Sequence, residues 1–231
     1  MGSALEVNGE QLQSLVDGSY RFNWVQPVGE FRWSTHVELV GAFGLIPRTK
    51  LEESGMDEPR IETERLILRP IKAEDLDGWA EMMADPESSR FIGGPVDRAG
   101  AWRVMAGMAG SWWLNGFGMF SMIEKDSGRW IGRTGPWAPE GWPDTEVGWG
   151  IVKSAFGRGY AYEAAAATID WAFDNLGWTD VIHSIDLENG PSERLAQRLG
   201  SVNRGRGSLP APFEHDEVNI WGQTKEQWRS R

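Results

Sequence analysis

From residue 61 onward the spacing of apolar positions switches between two periods, two and about 3.6 residues. Thr63-Glu-Arg-Leu-Ile-Leu-Arg69 alternates and carries β-favouring residues, which predicts a strand. A helix is predicted over 73–84, with acidic residues in its first turn and Asp85-Pro86 at its end. A second helix is predicted over 97–114. There Trp102, Met105, Met108 and Trp112 recur at helical spacing and are expected in the core, although glycines at 100, 107 and 110 weaken the helix. The period then returns to two over 117–124, 130–137 and 146–152, three strands, the first two joined by a turn at 126–128. Residues 160–176 predict an alanine-dense helix with Ile169, Ala172, Phe173 and Leu176 on one face. A strand over 181–187, a short helix over 191–199 opened by Pro191 and closed by Gly200, and a strand over 217–222 complete the pattern.

The order β-α-α-β-β-β-α-β-α-β predicts an α/β fold of the mixed α+β kind. Successive strands pair antiparallel, and the later strand-helix-strand unit adds a parallel crossover, giving a mostly antiparallel mixed sheet with helices on both faces. The polar stretch 52–60, with Gly55 and Pro59, reads as a linker. It divides an N-terminal extension, 1–60, from a domain at 61–226, with a polar tail at 227–231. Candidate strands at 20–25 and 31–40 would make a hairpin that is marginal alone. A second reading takes Met56 as the natural start and the leader as non-native sequence.

Composition narrows the partners. Hydrophobic residues make up 40% of the 231 and charged residues 25%, a balance that builds a core, and 14 tryptophans make it aromatic. The net charge of -11 argues against a nucleic-acid partner, which needs a basic face. There is no cysteine, so disulfides, thiolate metal sites and cysteine nucleophiles are excluded, and a cytoplasmic location is expected. No stretch reaches the roughly 20 apolar residues of a membrane span, so no membrane partner is expected, and the start lacks a secretory pattern. His36, His183 and His215 lie far apart, and no metal is expected. His183 is expected as a packing or hydrogen-bonding residue within a strand.

Candidate chemistry concentrates at 149–164, Trp-Gly-Ile-Val-Lys-Ser-Ala-Phe-Gly-Arg-Gly-Tyr-Ala-Tyr-Glu-Ala. A strand ends, a glycine-rich turn follows, and a helix begins with unpaired amides and partial positive charge. Gly157 and Gly159 clear side chains where phosphates would approach, and Arg158 can add charge, so the segment suits a pyrophosphate. A dinucleotide fingerprint would need glycine at 162, where Tyr162 stands, and no Walker pattern is present.

Thr63-Glu-Arg-Leu-Ile-Leu-Arg-Pro70, the stretch 156–164 and Glu188-Asn-Gly-Pro-Ser-Glu-Arg-Leu-Ala-Gln-Arg-Leu-Gly200 occur in one order and spacing. Together they resemble the GCN5-related N-acetyltransferases (the GNAT superfamily), in particular the branch of the ribosomal-protein acetyltransferases RimJ and RimL. The resemblance covers about 61–226. It implies transfer of an acetyl group from acetyl-CoA to a primary amine, a protein N-terminus or a small molecule, in a ternary complex. It implies that Phe156, Gly157, Arg158, Gly159, Tyr160 and Ala161 cradle the pyrophosphate. Gly150, Ile151, Val152 and Lys153 would hold the pantetheine arm, and this strand would splay from 181–187 to seat the thioester. Asn189 would contact the arm, and Ser192 would sit near the sulfur as a proton donor. Read from the residues alone, 189–192 is also a helix-initiating turn. Phe156 replaces the superfamily's usual Gln or Arg. Ser201 replaces the usual aromatic and is expected to loosen local packing.

Acyl transfer needs a neutral amine, a stabilised carbonyl oxygen and a proton for the leaving thiolate. Backbone amides along 150–152 are candidates for the second need. Glu146 is the candidate base, because it starts the strand that leads into the turn and the resembling family carries an acidic residue there. The alternative is an exposed strand-end charge. Glu163 is expected on a solvated helix face. Trp112, Trp113, Trp137, Trp142 and Trp149 flank the cleft in sequence order, and Trp137 and Trp142 are expected to line an apolar acceptor site. A non-catalytic acyl-CoA-binding regulatory module is the alternative function, and a homodimer is left open by related folds.

Overall fold

The computed structural model describes residues 58–231, so the expectations for 1–57, the hairpin and the start at Met56, lie outside the described residues. The first strands are β1 (Ile61–Glu62) and β2 (Leu66–Pro70), paired antiparallel around a tight turn. This corrects the single strand expected over 63–69. Thr63 donates its amide to the Leu66 carbonyl at 3.0 Å and accepts the Leu66 amide on its hydroxyl, so the chain reverses there. After a turn of 3-10 helix at Ala73–Asp75 come α1 (Leu76–Ala84), a short α2 (Pro86–Ser89) and α3 (Arg98–Asn115). Asp85 ends α1 and caps α2 through the amides of Glu87 and Ser88. Then follow β3 (Phe120–Glu124), β4 (Trp130–Trp137), β5 (Glu146–Ile151), α4 (Tyr160–Asn175), β6 (Asp180–Asp186) and α5 (Gly190–Arg198). The chain closes with β7 (Val202–Gly207), β8 (Val218–Thr224) and α6 (Lys225–Arg229).

The strands form one sheet in the order β1-β2-β3-β4-β5-β6-β8-β7. All neighbours are antiparallel except β5 and β6, which α4 connects as a crossover. Helices cover both faces, as adjacent side chains on β4 show. The Arg133 guanidinium lies 5.6 Å from the Trp79 ring of α1, while the Thr134 hydroxyl meets that of Thr168 in α4. Fully buried Ala164, Ala165 and Ala172 let α4 sit close to the sheet, and Ile169 and Phe173 fill the space beside them.

The α3 stripe is corrected in one place. Met105 is buried and Met108 and Trp112 pack on the core, but Trp102 is 54% exposed. Trp102 stands ~100° round the helix from buried Ala101, which turns it past the edge of the apolar face. The expected tail at 227–231 is also corrected, since most of it belongs to α6. Thr224 and Gln227 form a reciprocal capping box, and Trp228 is 2% exposed with its indole N–H on Asp170 at 2.8 Å. No helix among the described residues is long and apolar enough to cross a membrane.

Candidate active site

The turn before α4 is held open by its own backbone. Gly159 adopts φ +81°, where a side chain would be strained, and no side chain caps the helix. The first helical hydrogen bond runs from the Glu163 amide to the Gly159 carbonyl, so the amides of Tyr160, Ala161 and Tyr162 have no partner within the helix. They open on a cleft of about 640 Å³ lined by Gly157, Gly159, Phe156 and Ala161 on one side and Asn189, Ser192 and Arg198 on the other. The β1–β2 turn clamps the outside. Arg65 donates to the Arg158 carbonyl at 2.8 Å and to Glu163 at 2.7 Å, and Glu163 also accepts from the Thr63 hydroxyl and the Arg65 amide. Partial burial pushes the Glu163 carboxyl up, but these bonds together hold it below the ordinary carboxylate value. The expectation of a solvated Glu163 is therefore corrected: it fastens the turn to the first strands.

The cleft runs into a fork. β5 and β6 share a single ladder pair, Glu146 with Ile182, and then diverge. Divergence frees the Val147 carbonyl, and His183 satisfies it. Its Nδ1–H donates to Val147 at 2.7 Å, and its Nε2 accepts from the Ser201 hydroxyl at 3.0 Å. The imidazole thus fills the crotch of the fork, under the Trp149 ring at 4.8 Å. Ser201, expected to loosen packing, is a buried partner of this histidine instead. The Val147 carbonyl points away from β4, and strand alternation aims the amide and carbonyl of Trp149 at the same opening. On the far wall the Trp149 indole donates to Ser192 Oγ at 3.1 Å, and Asn189 caps α5 by accepting the Ser192 amide at 3.2 Å.

Burial holds His183 neutral, drawing its pKa from the ordinary 6.5 down to about 4. The unfolded chain therefore binds the extra proton between those values, and stability falls as pH drops from about 6.5 to about 4. The loss amounts to about 3 kcal/mol in all. Thermal melts between pH 7 and 4.5 are expected to fall more steeply in the native protein than in His183→Gln. Parallel curves would contradict the assignment.

Glu146 lies at the closed end of the fork, in the one pair where β5 and β6 still meet, and is 7% exposed rather than at a solvated strand end. Both of its hydrogen bonds fall on Oε2, from the Trp142 indole at 2.8 Å and the Ser184 amide at 3.3 Å. Its Oε1 lies toward Gly148, where an added Cβ would come within 3.3 Å. Gly148 and Gly150 share this face, and side chains from the covering elements fill the space they leave: the Met119 methyl would meet a Cβ on Gly148 at 2.9 Å, and Ile92, Arg133 and Met82 stand over Gly150, which lines the cleft. Burial raises the Glu146 pKa, against the pull of Trp142, Ser184 and the Arg133 charge. Arg133 is 5% exposed, makes no contact ion pair among the described residues, and has its Nε unpaired close to Gly150. Burial lowers its pKa to about 10.

The family model for acetyltransferase (GNAT) domains matches residues 65–202, more than half of the chain. The chain belongs to this family. The N-acetyltransferase p20 of Bacillus licheniformis, itself uncharacterized, is 30% identical over 146 residues, 62% of this chain and 82% of its own. A crystal structure of an acetyltransferase from Agrobacterium tumefaciens is 29% identical with a TM-score of 0.65, over 74% of this chain and 96% of that one. A ribosomal-protein alanine acetyltransferase from Vibrio fischeri, at 18% identity and TM-score 0.58 over 74% and 99%, shares the fold.

Within this GNAT domain the residues singled out by sequence separate into two groups. Gly150, Ile151, Phe156, Gly157, Gly159, Tyr160, Ala161, Asn189 and Ser192 line one cleft. Lys153 and Arg158 do not line it. Lys153 turns out to Glu87 at 2.7 Å, and the Arg158 side chain lies over the Tyr160 ring near Glu124, which also accepts the Tyr160 hydroxyl. The Val152 amide is donated to the Ile131 carbonyl at 3.0 Å and Gly150 pairs with Arg133 in the ladder, so of the amides along 150–152 expected to polarise the carbonyl, those two face β4, and only Ile151 alternates to the other edge. Arg65, Arg133 and His183 stand around the site without having been read as functional. Arg65 was legible in principle, because its turn precedes the first long strand. Among the described residues no group of three or more His, Asp or Glu is placed to hold a metal.

Proposed function

We propose that this GNAT domain is an N-acetyltransferase that takes an acetyl group from acetyl-CoA and passes it to a primary amine in a ternary complex. One observation carries the reading: an uncapped helix start and a forked pair of strands meet in one cleft, with the buried carboxylate of Glu146 on the same strand that lines it. The residues fit the cofactor. Unpartnered amides at 160–162 suit the pyrophosphate, and the free edge of β5 at Trp149 suits the amides of the pantetheine arm.

Bound acetyl-CoA supplies an acyl carbonyl activated by its thioester. Glu146 accepts the proton that the amine loses as its nitrogen bonds to that carbonyl carbon and the carbon–sulfur bond breaks. A raised pKa suits this role, since a base close to the working pH transfers protons best. Ser192 Oγ accepts a hydrogen bond from the Trp149 indole N–H, which leaves its own hydroxyl hydrogen for the departing sulfur. The Trp149 amide, directed into the fork, is the donor placed to steady the carbonyl oxygen.

Calorimetry with CoA and a free-thiol assay with acetyl-CoA and a panel of amines test the proposal together. Micromolar CoA binding and amine-dependent thiol release are the expected results. Binding without release would instead mark a non-catalytic module, and no binding would sink the reading altogether.

A further inference from the structure

A second cavity, of about 530 Å³, lies beyond the Glu146 end of β5. Its wall comes from the end of α3, with Ser111 and Leu114, and from the connection between β4 and β5, with Trp137, Glu140, Trp142 and Asp144. Trp142 meets Trp137 edge to face at 6.4 Å and Phe213 at the same distance on another side, so three aromatic rings stand together here. None of the lining side chains is cationic, and two are acidic. Trp142 is the shared element, because its ring walls the cavity while its N–H holds Glu146.

Building on the acetyl-transfer reading, we propose that this cavity selects the acceptor: an organic ammonium ion with an apolar, preferably aromatic, body. Ring faces attract a cation and also cover carbon, and the acidic rim repels an anionic guest. The volume falls within the range of small-molecule sites, which favours a compact amine over an extended peptide. An amine that donates to Glu146 in place of the indole keeps that carboxyl hydrogen-bonded while its body rests against Trp137 and Trp142.

Calorimetric titration of phenethylamine, ethanolamine and a serine-starting hexapeptide into the CoA-free full chain tests this, whatever the fate of the acetyl-transfer reading. Phenethylamine is expected to bind at least tenfold tighter than either of the others. Trp137→Ala should weaken it by tenfold or more, and Trp102→Ala, exposed on α3 outside the cavity, should not change it. Leu114 is 81% exposed, so Leu114→Ala will fold and should weaken binding about threefold. Equal affinities for the three probes, a preference for the hexapeptide, or an unchanged affinity in both the Trp137 and Leu114 variants would overturn the proposal.

Discussion

Glu146→Gln is expected to lower kcat by about a hundredfold or more, with the KM for acetyl-CoA within about twofold of native. Glutamine preserves shape and can still accept the Trp142 and Ser184 hydrogens, so folding should survive. What disappears is the capacity to take a proton, worth about 10²- to 10⁴-fold when a positioned base is lost. The cofactor term should hold, because Glu146 does not line the cleft that carries the uncapped amides. A pH profile gives a second reading of the same group. The native enzyme should lose activity on its acid side at a pH above the ordinary carboxylate range, because burial raises this pKa. Trp142→Phe removes a hydrogen bond that lowers it, so the acid limb should move to higher pH. A limb that stays in place in Trp142→Phe, together with a near-native rate for Glu146→Gln, would assign the proton to another group.

Filling the cradle should give the second large effect. In Gly159→Val the added Cβ carries a branched side chain at φ +81° and stands 3.4 Å from the Arg65 guanidinium that ties the turn down. The backbone must leave the left-handed region or bear a strain of about 1–2 kcal/mol, and either response disturbs the amides at 160–162. Hydrogen bonds to a charged group contribute about 1.5–3 kcal/mol each, so losing one or two should raise the KM for acetyl-CoA by about a hundredfold. The kcat at saturating cofactor should change far less, since Glu146 and Ser192 are held by other elements, β5 and α5. A native KM in a folded Gly159→Val protein would show that the pyrophosphate is not held at this turn.

These two variants also divide the site into a part that could be read and a part that could not. The cradle was legible because its signal is local: two glycines between a strand and an alanine-rich helix state their backbone geometry within a few residues. The central strands and α4 were legible for the same reason, since burying one face imposes a period on neighbouring positions. β7 escaped because an edge strand needs no apolar face. Val202-Asn-Arg-Gly-Arg-Gly207 is almost wholly exposed and carries the charges that suit a sheet edge. Trp228 escaped because a single tryptophan in a polar tail has no period at all, and only its pocket beside Asp170 makes α6 dock.

From the sequence alone came the order of the central elements from β3 to α5, the position of the helix start that faces the cleft, and a carboxylate one strand-length before it. The tertiary structure alone decided what surrounds each group. The fork opens because β6 returns beside β5 for one pair only, and the imidazole of His183 takes up the carbonyl that the parting strands release. Glu146 becomes a raised-pKa acid only when the Trp142 loop and β6 close over it, and Glu163 becomes an anchor only when Thr63 and Arg65 arrive from about a hundred residues away. Local backbone preference is written in adjacent residues, whereas burial and hydrogen-bond partners depend on which distant segments meet.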